Sequence, residues 1–203
     1  MIQCRFARFV AMLVGLSLVV PVSRADNFPE YPVRAASDYT VKAEKGTLVV
    51  AVQIVEDPKE QETYFHTKLA PKGFLPLFIV VQNGSTTDSF LFDKTKITIG
   101  RAGASGKGPQ VNSKAGEITA IGSLAAISMV GALIAMKLMA NATHVQQNIL
   151  KKEIQSKTLS PGESVHGFLY LAVPKNAPRE STQLRVPLAK SGTDETLNLD
   201  LVF

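Results

Sequence analysis

The sequence predicts a mainly β protein, an antiparallel immunoglobulin-like β-sandwich interrupted by a long apolar α-helix. Three observations carry this expectation. Seven short runs rich in β-branched and aromatic residues are separated by Gly, Pro and Asn turn signals. The last of them, Leu197 to Phe203, alternates apolar and polar residues with period two. Residues 118–136 then form 19 consecutive positions without a charge, set between the two groups of strand runs. There is no Trp and no Cys–Trp–Cys signature, so the immunoglobulin-like expectation rests on strand number and turn signals alone.

Residues 1–25 are expected to be a cleaved signal peptide. Arg5 and Arg8 make a positive start, Phe9 to Val20 an apolar core, and Pro21 breaks it. Ser23 and Ala25 offer small side chains for cleavage before Asp26. An apolar run of that length is too short to cross a hydrocarbon layer about 30 Å thick. The only cysteine, Cys4, lies in this segment, so the mature chain is expected to hold no disulfide and no Cys-based metal site. Charge follows the same division. Of the 22 Lys and Arg, Arg5, Arg8 and Arg24 fall before Asp26, leaving 19 bases against 17 acids. The formal +5 therefore gives no argument for a nucleic-acid partner.

Residues 26–39 read as an extended leader, because Pro29 and Pro32 discourage both helix and ladder pairing. Residues 40–99 read as the first part of the sandwich. Its strand runs are Leu48–Val55, Leu75–Gln82, Ser89–Phe92 and Lys96–Ile99, with Asn83-Gly84-Ser85 as a turn. Residues 56–72 carry charge without a clear period and read as a loop. Residues 100–117 are a Gly-rich flexible linker. Residues 158–203 supply the second part, with runs Val165–Val173, Leu184–Leu188 and Leu197–Phe203 after the turn at Pro161-Gly162. The closing run resembles the terminal strand signal of bacterial outer-membrane β-barrels, but over seven residues only. Barrel strands of ~9–11 residues with aromatic girdles are not evident, and a closing sandwich strand is the preferred reading.

Residues 118–157 read as a helical insertion, apolar to Met136 and amphipathic beyond Lys137, with Leu138, Ala142, Val145 and Ile149 on one face. As a helix the uncharged run is about 28 Å long, close to a bilayer core. Small residues recur four apart along it, which permits close helix approach. The expected contact residues are Gly122, Ala126, Ser128, Gly131, Ala132 and Ala135. A helix apolar all round must be covered by membrane, by copies of itself, or by the sandwich.

No motif carries chemistry. Gly100 to Gly108 lacks the phosphate-loop pattern at Arg101 and Gly108. His66, His144 and His166 show no metal-ligand spacing, and Ser164 near His166 has no nucleophile elbow. Glu60/Glu62 and Asp194/Glu195 are expected to be solvated. The expectation is thus a non-enzymatic, exported protein of the periplasm or cell envelope with no cofactor. It would be membrane-associated, with self-association or an envelope partner through the helix. The alternative is a pore-forming or membrane-perturbing protein whose helix inserts on assembly.

Overall fold

A computed structural model describes residues 28–101, 143–172 and 182–203. The expected signal peptide, most of the expected Gly-rich linker and the whole uncharged run lie outside these residues. The described chain is mainly β, with antiparallel strands in two sheets that enclose one core. The first sheet has the order β1-β2-β3-β7, with β1 Val41–Lys45, β2 Leu48–Ile54, β3 Phe74–Asn83 and β7 Ser164–Ala172. In the second, β8 (Thr182–Lys190) pairs with β9 (Thr196–Val202) on one side. On its other side it pairs with β4 (Phe90–Phe92) and β5 (Thr98–Arg101) in tandem. A short β6, Lys157–Leu159, pairs with β4.

The apolar run of β3 is explained by burial on both faces. Leu77, Ile79 and Val81 point into the core between the sheets, with Leu48, Val50 and Val52 of β2 and Leu169 and Leu171 of β7. Phe74, Phe78 and Val80 point outward, yet they too are buried. A second cluster covers this outer face: Tyr31 from the leader, Phe65 and Leu69 after β2, Ile149, and Phe168 and Tyr170 of β7. Among the described residues the second sheet has no such cover. Its inward Leu184, Val186, Leu188, Leu199 and Leu201 alternate with exposed or half-buried residues. On the exposed face Arg185 grips Asp200 through two hydrogen bonds of 2.7 and 3.0 Å. The period-two pattern of Leu197 to Phe203 reflects this one-sided burial.

Among the described residues two α-helices build the outer layer. Helix α1, Pro58–Phe65, lies where a loop is expected from sequence. Asp57 caps it by accepting a hydrogen bond from the Lys59 N–H at 2.9 Å, and Pro58 opens it with a preset φ. His66 ends it in the left-handed region at φ 52°. The short helix buries only Gln61 and Phe65, so its apolar period is nearly invisible. Helix α2, Thr143–Lys152, falls in the amphipathic stretch and directs Val145 and Ile149 at the second cluster. It stops at Lys152, short of Lys157. Ile154 leaves it to donate a backbone hydrogen bond to the Phe168 carbonyl at 3.0 Å and enters the inter-sheet core. β1 and β6, with few apolar residues, also escape a reading by pattern.

Strands from both sides of residues 102–142 are interleaved. β3 pairs with β7 over nine residues, and β4 and β5 flank β8. β5 ends at Arg101 opposite Thr182, at the end of the sandwich where β7 finishes. Leaving α2, the chain meets β7 in a parallel bridge between Glu153 and Phe168, and the Tyr170 hydroxyl reaches back to the Ile149 carbonyl.

The opposite end is closed by side chains. Buried Asn83 donates to the carbonyls of Asp88, Leu159 and Ser160 at 2.7, 3.1 and 3.1 Å and accepts from the Ser85 N–H at 2.9 Å. The Asn83-Gly84-Ser85 turn is thus a plug between the sheets. Nearby, Glu163 accepts a hydrogen bond from the Ser160 N–H at 2.9 Å, with Lys157 beside it at 3.3 Å. That backbone bond, and then Lys157, hold its carboxyl below the usual value. A hydrogen bond from Thr95 chiefly does the same for Asp93. A carboxylate depressed on folding stabilises above its unfolded pKa and loses that contribution as pH falls through the folded value. Thermal melts are therefore expected to shift down between about pH 5 and about pH 2. Glu163→Gln should make the melting temperature less sensitive to acid across that range.

Candidate functional site

The leader lines one side of a half-open concavity on the outer face. From Phe28 to Ala35 the chain lies extended across the outer face, and Tyr31 drives its ring into the second cluster. Its centroid is 4.6 Å from Phe78, 5.1 Å from Phe168 and 4.8 Å from Tyr64. The Tyr31 hydroxyl donates to Glu60 at 3.0 Å, so one of the carboxylates expected to be solvated instead holds the leader. Burial first, and Glu60 second, push the Tyr31 pKa above the ordinary tyrosine value. Lys151 lies 3.6 Å from Glu30, and Lys152 donates to the Pro29 carbonyl.

Between this strap, the end of α2 and the edge of β7 lies a cleft of about 440 Å³. Its floor is aromatic: Phe78 and Phe168 are directly opposed across β3 and β7, with centroids 5.0 Å apart. Tyr31 and Val33 form one wall, Lys151 to Glu153 and Gln155 the other, and His166 stands at the open side. Gly167 matters here because the chain crosses β7 at backbone contact. A Cβ on it would lie 2.6 Å from the Ile154 Cα.

The charges of the cleft are unequally matched. Glu153 pairs with Lys94 at 3.1 Å in a largely buried ion pair, and Glu30 faces Lys151. Lys152, only 7 % exposed, has no carboxylate within ion-pair distance among the described residues. The ring of Tyr64 lies 5.7 Å from its ammonium. Burial lowers its pKa below the ordinary lysine value, opposed by Glu30 and assisted by Lys151. The hydroxyl of Tyr170, buried beneath, donates to the Ile149 carbonyl at 2.9 Å and is pushed well up by that burial.

Of the residues singled out from sequence, His166 lines this cleft. Gly122, Ala126, Ser128, Gly131, Ala132 and Ala135 lie outside the described residues. His66 stacks against Phe28 at 4.3 Å, His166 is on β7 and His144 on α2. Among the described residues no group of His, Cys, Asp or Glu is arranged to hold a metal. None of the described helices is long and apolar enough to cross a membrane. The cleft draws on positions 31, 78, 152 and 166, and no local spacing announces it. The available signals are an aromatic residue between two leader prolines and a lysine one turn beyond a buried helix position. Comparison with protein-family models, with curated proteins and with solved structures found no match.

Proposed function

We propose that this chain is an exported cell-envelope protein with a binding or structural role. In this reading its sandwich is held at a membrane, or against further copies, by the apolar segment 118–136. The domain is used as immunoglobulin-like modules are, presenting loops and edges to an envelope partner, and performs no catalysis. Export is supported by the basic, apolar and small-residue pattern of residues 1–25. Contact through Gly122, Ala126, Ser128, Gly131, Ala132 and Ala135 is supported by their spacing.

The observation that carries the manner of attachment is the interleaving of strands. A single crossing within residues 102–142 would place β3 and β7 on opposite sides of the bilayer and dissolve their nine-residue ladder. Two spans would need about 40 apolar residues, and this stretch holds one uncharged run of 19. The arrangement that accords with both facts leaves and returns on one side. The segment then docks in the membrane surface or packs against copies.

The test uses the absence of cysteine beyond Cys4. Exposed Lys45 and Asp194 stand before and after the insertion. Lys45→Cys and Asp194→Cys are expected to react equally with a membrane-impermeant maleimide in sealed spheroplasts of an expressing bacterium. Labelling of one only, with the other reacting after lysis, would overturn same-side attachment. In the same cells Gly131→Leu is expected to reduce carbonate-resistant membrane association or oligomer size. If neither changes, the contact face is wrong.

A further inference from the structure

We propose that the leader is a latch. Residues 28–33 leave the outer face and re-dock as a unit while the sandwich and helices α1 and α2 stay folded, and their release uncovers the aromatic face of β3 and β7. This device is separate from the attachment proposed above, since none of these residues belongs to the apolar segment.

The strap is fastened unevenly. Its root is pinned at Arg34, whose N–H donates to the Tyr39 hydroxyl at 3.3 Å. The Arg34 guanidinium lies 4.5 Å over the Tyr39 ring and donates to Gln53 at 2.7 Å. Ahead of that root one side chain does most of the holding, for Tyr31 is the only buried residue from 28 to 35. Glu30 and Lys151 are both exposed, so their ion pair adds little. Among the described residues the backbone of 28–33 makes no hydrogen bond to a strand backbone. Its Pro29 carbonyl meets only the Lys152 side chain. Pro29 and Pro32 have no N–H to offer a ladder, and their fixed φ keeps the free segment extended, ready to dock again.

The elements beneath are fastened without the strap. Asn148 of α2 donates to the Tyr64 carbonyl of α1 at 2.9 Å. The Tyr170 hydroxyl and the Ile154 N–H tie α2 and its exit to β7. Gln61 joins α1 to the backbone at Val55, Leu69 and Ala70. A segment with one buried contact and no ladder opens at a lower free energy than the core it covers. Its release has a defined consequence. Phe78 and Phe168, now 2 % and 1 % exposed, have ring centroids 4.6 and 5.1 Å from that of Tyr31. With Tyr31 and Val33 withdrawn, these rings open into the cleft that the two residues now wall. The docked strap keeps an aromatic patch from solvent, and the lifted strap presents it.

The chain has no Trp, so Tyr31→Trp places a single reporter in the socket. Urea unfolding of this variant is followed by indole emission, acrylamide quenching and far-UV circular dichroism. The indole is expected to become exposed at lower urea than the loss of the dichroism signal, in curves that do not coincide. Coincident curves would overturn the latch, since strap and sandwich would then open as one unit. A second measurement uses the unaltered chain, so it stands if Tyr31→Trp fails to fold. A glutamate-specific protease can cut after Glu30 only when Tyr31 is out of its socket, because it must grip both sides of the bond. Under native conditions, cleavage after Glu30 is expected to rise with urea at less than about half the slope of cleavage after Glu62 of α1, as local opening exposes little surface. Equal slopes, or no cleavage after Glu30 below the unfolding transition, would each overturn the proposal.

Discussion

Replacing Gly167 with alanine is expected to lower stability by about 3 kcal/mol or more and to detach the Glu153–Gln155 crossing from β7. The added Cβ would lie 2.6 Å from the Ile154 Cα and 2.7 Å from its nitrogen. Both are backbone atoms, so no rotamer change relieves the contact and one chain segment must move. That segment does two jobs. Ile154 is fully buried in the inter-sheet core, and its N–H donates to the Phe168 carbonyl. The crossing is also where the chain passes from the outer helical layer into the sandwich. Displacing it costs core burial, a ladder hydrogen bond and the placement of Lys152 beside the cleft. Denaturant unfolding measures the loss, and amide exchange at Ile154 should rise with it. A change below about 1 kcal/mol with unaltered exchange would show that the contact relaxes freely.

The sandwich was legible wherever burial repeats locally. β3 is apolar on both faces, and β9 alternates because only one face is buried, so both patterns stand in the primary sequence. The outer layer was hidden because its contacts join residues far apart. Tyr31 meets Phe168 across more than a hundred positions, and neither has a neighbour that hints at the other. Helix α1 buries two side chains, one of them polar. The cleft was invisible for the same reason, being assembled from a leader, a helix end and two strands.

Prolines inside strands show how far local chemistry can be followed. In β8, Pro187 lies opposite Asn198 of β9. Thr182 and Phe203 exchange backbone hydrogen bonds of 2.7 and 3.0 Å, and alternation from there leaves Pro187 at a non-hydrogen-bonded position toward β9. Its nitrogen therefore faces the other side, where the ladder passes from β5 at Arg185 to β4 at Leu188 and no partner is in register. The missing N–H leaves nothing unpaired. Pro76 in β3 is different, because its nitrogen faces Val55 in the buried first sheet. Val55 donates to the Pro76 carbonyl at 3.0 Å, but the return bond needs an N–H that proline lacks.

Gln61 supplies that bond, and Gln61→Leu is accordingly expected to cost about 4 kcal/mol. Its Nε2 donates to the Val55 carbonyl at 2.7 Å. Its Oε1 accepts from the N–H groups of Leu69 and Ala70 at 2.7 and 3.0 Å. The side chain is 0 % exposed, so leucine would fill nearly the same volume while leaving three backbone groups without their partner, two of them in the buried residues Val55 and Leu69 and one in exposed Ala70. Each buried orphan costs about 1–3 kcal/mol, which makes this loss larger than any lost packing. It is also a large fraction of a typical domain stability of about 5–15 kcal/mol. Gln61→Glu separates hydrogen bonding from shape. A carboxylate there keeps the acceptor but loses the donor and buries a charge, so burial should raise its folded pKa above the unfolded value near 4.3. Such a group destabilises least below the unfolded pKa and most above the folded one. Relative to the unaltered chain at each pH, Gln61→Glu should therefore recover as pH falls toward about 4, whereas Gln61→Leu should not. Parallel unfolding curves at neutral and acidic pH check both statements. Equal deficits for the two variants at every pH would mean that Gln61 acts by volume and not by completing the bond that Pro76 cannot make.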